Sequence, residues 1–385
     1  MRYRVISTDD HMQEAPHAWL ARMSAQQWGD KIPQVRREPD GNDGWYLYGN
    51  RIVGGSGMTG GLGTTHGAWA DRTKVPRRMD DMPKIVYVPA ERIKAMDQDG
   101  VDAHTFFPNV SGFAGNRLCD PAFPEDFRLA AIRAYNDYQI EEWSRPHPGR
   151  FITLAVLPLW DVGHAVAELH RTAKLGINGV SFCLPQGYGF RNFADPYWDP
   201  LWQAAEETDL SFNLHFGASG LAGVLSMPTW EGQSEMRTLA QASVRTMASN
   251  VTIMTLVLFS GVLERFPRLK IVSSESGLGW IPYVLEIADH QWDSQRLMQD
   301  GSKVKPSELF KRQCYANFWF EVFGPAVRHH IGLDNIMWES DFPHPTCTWP
   351  NSQSYIHRSM DSWPEAERHK VLVDNAVRLY HLDPR

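Results

Sequence analysis

Near its start the chain reads Arg4-Val5-Ile6-Ser7-Thr8, which runs into Asp9-Asp10-His11, with Glu14 three residues further on. On an extended backbone side chains repeat with a period of two, so Asp9 and His11 point the same way and can reach one ion. Carboxylate and imidazole together suit Zn, Fe, Mn or Ni rather than soft Cu(I). The same residue types recur in three other places. His215 closes the segment SFNLH, Glu275 follows IVSS, and Asp341 follows IMWES with His344 just after it. Buried charges are costly unless they are paired or bound to a metal. Four such segments ending on histidine or carboxylate therefore predict a metal centre drawn from Asp9, His11, Glu14, His215, Glu275, Asp341 and His344. Glu275, Asp341 and His344 are the candidates for acid–base chemistry. Two alternatives stay open: Glu14 either binds metal or caps the segment after strand 1, and His344 is a ligand, a partner of a ligand, or a proton donor. Asp10 reads as a salt-bridge or turn residue, and His66 as a surface histidine in a glycine-rich loop.

The elements that must position these residues alternate strand and helix. Strand-like segments fall at 4–8, 103–107, 151–157, 179–183, 211–215, 270–274, 315–320 and 336–339. Helical periodicity falls between them at 91–99, 124–144, 163–175, 199–208, 234–266, 282–298 and 325–331. Eight strands in this alternation predict an α/β (β/α)8 barrel as one domain over residues 1–385, with the site at the C-terminal strand ends. The stretch 51–67 reads RIVGGSGMTGGLGTTHG. Around it, residues 33–89 form an insertion after the first strand, open between a lid over the mouth and a plain surface loop.

Composition narrows the function. With 43% hydrophobic and 22% charged residues the chain is an ordinary globular protein. The net charge of -7 argues against nucleic acid as a partner. The apolar stretch near 251–262 is too short and too interrupted to span a membrane, and the first residues lack the apolar core of a secretory signal. The expected setting is cytoplasmic, with Cys119, Cys183, Cys314 and Cys347 as free thiols. Fifteen tryptophans among 12% aromatics suit a pocket for a bulky, apolar small molecule. A homo-oligomer is expected.

Several motifs, in this order, resemble the amidohydrolase-related family 2, which includes decarboxylases of the aminocarboxymuconate-semialdehyde type. They are Asp9-x-His11-x-x-Glu14, DPYWDPLWQAAEETDLSFNLHFG through His215, SESGLGWIPYVLE around Glu275, WESDFPHP around Asp341, and NAVRLYHLD from Asn375. The resemblance implies a metal at the barrel mouth held by His11, His215 and Asp341, with Asp9 in the first ligand position. Two departures bear on the chemistry. The decarboxylases carry a histidine where this chain has Glu275. The binuclear hydrolases of the wider superfamily carry a bridging lysine at the end of strand 4, where this chain has Phe182, Cys183 and Leu184. The remaining carboxylate-rich set resembles a diiron centre, and with it a branch of the family that acts as a diiron monooxygenase in terpenoid biosynthesis. The sequence reading therefore places first a dinuclear, two-iron oxygenase acting on a bulky apolar substrate. Its alternatives are a hydrolase of an ester, lactone or amide, with Zn or Mn in place of iron, and a non-oxidative decarboxylase.

Overall fold

The structure is a computed structural model, and it describes residues 3–52, 76–215 and 230–383. Eleven strands are numbered here in chain order. Eight of them form one sheet: β1 (Ile6–His11), β5 (Ala103–Phe107), β6 (Phe151–Ala155), β7 (Gly179–Phe182), β8 (Ser211–His215), β9 (Ile271–Ser274), β10 (Cys314–Phe318) and β11 (Ile336–Trp338). Neighbours in that order pair in parallel. The sheet curls until β11 meets β1. Asp341 N donates to Asp9 O at 2.9 Å, His11 N to Phe342 O at 2.7 Å, and Thr8 Oγ1 to Trp338 O at 3.0 Å. Every residue of these eight strands is buried, one face toward the barrel interior and the other under the surrounding helices.

The helices follow from local signals. Val162–Leu175 starts at Asp161, whose carboxylate accepts from His164 N at 2.9 Å. It stops at Gly176, whose φ of 92° permits the left-handed turn that ends a helix. Its buried residues Ala165, Glu168, Leu169 and Thr172 recur at helical spacing on the barrel side. Glu125–Tyr138 runs on through Ser144 in wider turns, and Glu235–Leu258 precedes β9. Val262–Arg265 is a separate short helix, broken off at Gly261 with φ 73°, so the predicted helix 234–266 divides in two.

The region after strand 1 contains a three-stranded antiparallel sheet: β2 (Gln34–Arg37), β3 (Asp43–Leu47) and β4 (Asn50–Arg51). Most of the glycine-rich stretch, His66 included, lies outside the described residues. Strand 1 also differs from expectation. It extends through His11 instead of stopping at Thr8, because Asp10 and His11 pair with Phe106 and Phe107 of β5 after an irregularity between Ser7 and Asp10. All four cysteines are free thiols. Among the described residues, no helix is long and apolar enough to cross a membrane.

Candidate metal centre

The mouth of the barrel gathers the side chains from separate strands. Asp9 and His11 stand at the end of β1, and His215 is the last residue of β8. Glu275 follows β9 immediately and Asp341 stands three residues past the end of β11, and the two share an unusual backbone: φ is 51° at Glu275 and 57° at Asp341. Left-handed conformations at non-glycine residues are costly and persist where surrounding contacts fix them. Here each turns a carboxylate back over the strand ends.

The donor atoms are close. His11 Nε2 lies 3.1 Å from His215 Nε2, 3.5 Å from Asp9 Oδ1 and 3.7 Å from Asp341 Oδ1. His215 Nε2 lies 3.8 Å from Asp9 Oδ1 and 2.9 Å from Glu275 Oε2. With bonds near 2.1 Å, donors around one ion stand about 3.4 Å apart in a tetrahedron and about 3.0 Å apart in an octahedron. The observed separations match the edges of such a polyhedron. Both carboxylate oxygens of Asp9 are buried with no hydrogen-bond partner, and Glu275 Oε2 is likewise buried without one, although His215 Nε2 stands 2.9 Å from it. A buried carboxylate without partners is a strong unmet demand for a cation.

The electrostatics agree. Burial pushes the Asp9, Glu275 and Glu339 carboxyls well above the ordinary range. Repulsion adds to it, from Asp341 in all three cases and from Glu275 at Asp9 and Glu339. Burial also drives the His11 imidazole well below its usual range, with the His344 and His215 rings beside it. His11 is therefore neutral, the form that binds a metal. A divalent ion would relieve the carboxylate repulsion and use both imidazoles.

The structure brings Asp9, His11, His215, Glu275, Asp341 and His344 together. His344 Nδ1 lies 2.8 Å from Asp341 Oδ1, and Thr346 Oγ1 donates to the other Asp341 oxygen. The His344 ring packs on His11 with centroids 3.7 Å apart. Glu14 is elsewhere. Its carboxylate accepts from Asn109 N at 3.0 Å and Val110 N at 2.9 Å, tying the segment after β1 to the loop after β5. Asp10 accepts from Ser340 Oγ, from Thr105 N at 3.2 Å and from Phe342 N at 3.3 Å, so it laces β1, β5 and β11 beneath the site.

Five residues at the site escape the sequence reading. Arg92, on a helix, donates to His11 O at 2.6 Å and Phe342 O at 3.3 Å, holding the two sides of the barrel seam. Glu339 and Asn317 both accept from Glu275 N, at 3.3 and 3.0 Å. Glu339 lies inside the WESDFPHP motif, and its charge two residues before Asp341 was the available signal. Phe107 and Phe113 wall the site, with ring centroids 4.8 and 4.3 Å from that of His215.

The sequence model described as amidohydrolase matches residues 49–382. The chain belongs to the amidohydrolase family. Among curated relatives, it is 26% identical to a gamma-resorcylate decarboxylase of Rhizobium radiobacter over 337 residues, spanning 78% of this chain and 90% of that one. Its fold is like that of an amidohydrolase from Mycobacterium avium subsp. paratuberculosis, with a TM-score of 0.74 at 20% identity over 99% of this chain and 100% of that one. It is also like that of a dihydroxybenzoic acid decarboxylase from Polaromonas sp., solved with manganese and 2-nitroresorcinol. There the TM-score is 0.56 at 21% identity, covering 82% and 89% of the two chains. The chain is thus a metal-dependent enzyme of this family. These relatives correct the order of the sequence expectations: they favour the decarboxylase alternative and lend no support to a two-iron oxygenase.

Proposed function

We propose that the protein is a non-oxidative decarboxylase of an aromatic carboxylic acid, using one divalent ion held by Asp9, His11, His215 and Asp341 with Glu275 at its edge. The observation that carries this reading is the compact donor set, with separations of 2.9–3.8 Å, in a barrel whose curated relatives remove carboxyl groups from aromatic acids. One ion is favoured over two because His11 belongs to both possible ligand groups, and paired metals stand about 3.5–4 Å apart with donors of their own. A bound divalent ion supplies Lewis acidity there and an anchor for an anionic substrate group.

Decarboxylation of such an acid exchanges carbon dioxide for a proton. A proton adds to the ring carbon that bears the carboxylate, the C–C bond breaks, its electron pair returns to the ring, and carbon dioxide leaves. No electron donor is required. His344 and Asp341 share a hydrogen bond at the mouth, and the His344 side chain is 16% exposed. This pair is suited to take a proton from solvent and present it to the substrate. Phe107 and Phe113 offer aromatic faces for a ring.

A second reading has one specific observation behind it. Glu275 adds a carboxylate where decarboxylases of this type carry histidine, and a site so rich in negative charge accepts a neutral carbonyl more readily than an anion. Hydrolysis of an ester, lactone or amide follows from that. The deciding experiment incubates Mn²⁺-loaded protein in D₂O with hydroxybenzoic acids and, separately, with aryl esters and lactones. Carbon dioxide release with one deuterium on the vacated ring carbon, and one metal per chain, is the expected result. Ester or lactone cleavage without decarboxylation supports the second reading, and two metals per chain overturn the single-ion assignment.

A further inference from the structure

Glu275 bears on both readings, yet its backbone conformation is an unfavourable one. The turn that carries it is Glu275-Ser276-Gly277-Leu278-Gly279, with φ of 51° at Glu275 and 69° at Gly277. Such a turn needs restraints, and the structure supplies them from several sides. Asn317 and Glu339 accept from Glu275 N. Ser276 Oγ meets Ser273 Oγ at 2.8 Å, and Trp280 Nε1 donates to Ser276 O at 3.0 Å. The far end of the turn is held by a residue from another strand end. Glu321, three residues past β10, accepts from Leu278 N at 2.6 Å.

The fit around Glu321 is close. A Cβ at Gly277 or at Gly324 would overlap the Glu321 carboxylate, so both glycines make room for it. Its own backbone is fixed from behind: Ser359 Oγ donates to Glu321 O at 2.8 Å, and Arg358 donates to Phe320 O. A largely buried carboxylate set on backbone amides, in a cradle that two glycines keep open, is an expensive arrangement for a plain surface loop.

We propose that Glu321 is a positioning residue for the metal centre: by clamping the amide of Leu278 it holds the 275–279 turn in the left-handed form that aims the Glu275 carboxylate at His215 Nε2. The inference rests on the assignment of Glu275 to the ion. Glu321 touches neither substrate nor metal and acts through the turn. Partners of metal ligands that orient them commonly contribute 10–100-fold to metal affinity, and a clamp one step further out is expected to contribute about 10-fold.

The test is a Mn²⁺ affinity measurement by chelator competition on the full chain, with Glu321→Gln, Glu275→Gln and the double variant compared with wild type. Glu321→Gln replaces one acceptor oxygen by a donor that opposes the turn's amides. It is expected to weaken Mn²⁺ binding by about 10-fold, and to add less than 2-fold when Glu275 is already Gln. Glu321→Asp keeps the charge but is one methylene too short, and the same loss is expected. Ser359→Ala leaves the carboxylate in place and loosens its backbone, so a smaller loss in the same direction is expected even where the other two fold poorly. Trp292→Phe, which removes an indole N–H that donates to Ser302 Oγ at 2.9 Å near the C-terminal end of the helix Ile281–Ser294, controls for lowered stability and is expected to bind Mn²⁺ as wild type does. Unchanged affinity in the Glu321 and Ser359 variants overturns the proposal, as does an undiminished effect of Glu321→Gln in the Glu275→Gln background. Unchanged affinity in Glu275→Gln itself overturns the ligand assignment instead.

Discussion

Glu14 offers the cleanest separation of a structural carboxylate from a metal-binding one. It is fully buried, and burial raises its carboxyl from 4.5 to about 7 against the opposing pull of the backbone amides at Val110 and Asn109. A difference of about 2.5 in pKa is worth about 3 kcal/mol. The folded-state value is the higher one, so the stabilising contribution is fully present below pH 4.5 and is lost as pH rises through about 7. Glu14→Gln removes the titration while keeping size and one acceptor oxygen. Near pH 4.5 the two proteins should differ by no more than about 1 kcal/mol, the value of one altered hydrogen bond. By about pH 8 the balance should have moved by about 3 kcal/mol in favour of Gln. Paired urea unfolding curves across that range measure the difference directly, because every other titrating group cancels between wild type and variant. The same samples give metal content, which should be unchanged. A pH-independent difference would refute the buried-carboxyl argument, and loss of metal would return Glu14 to the ligand set.

Two further outcomes are expected. Asp9→Asn, His11→Ala and His215→Ala should each lower bound metal well below one per chain by elemental analysis and abolish turnover, and any of them that keeps full occupancy is not a ligand. Phe212→Ala, which opens the packing of Phe212 on Phe182 and Trp202 (ring centroids 4.9 and 5.5 Å apart), should cost about 3–5 kcal/mol in urea unfolding.

Much of the barrel is legible in the sequence because its strands are short apolar runs set between helices of clear 3.6-residue period. Ser211–His215 and Ala103–Phe107 fall where they are read. The misses have physical causes. The strand read at 4–8 breaks off where the sequence turns polar at Asp9, but parallel pairing with β5 on one side and the β11 seam on the other satisfies the backbone through His11 and keeps it in the strand. Strands β2 to β4 run to four, five and two residues, and much of β2 and all of β4 is exposed or half-exposed. They lack the buried alternation that a period-two search needs. The helices after β11, such as Ser352–Met360 and Asn375–Leu379, also go unread.

The site is legible in residue type and less so in number of ions. Counting three histidines and four carboxylates along the chain suggests enough donors for two metals. In space the same residues divide by what already holds them. Glu14 is taken up by Asn109 and Val110, and His344 faces Asp341 at 2.8 Å. What remains around the two Nε2 atoms, 3.1 Å apart, is a shell of carboxylates suited to a single ion. The extra negative charge does not call for a second metal: the Glu339 carboxylate accepts from Glu275 N, and its carboxyl is pushed well up by desolvation, by Glu275 and by Asp341. A carboxyl that resists ionisation in this way adds less charge for an anionic substrate to overcome than a free carboxylate would. On that reasoning the carboxylate excess, which from the sequence points toward two irons, is compatible in three dimensions with one ion and an aromatic acid.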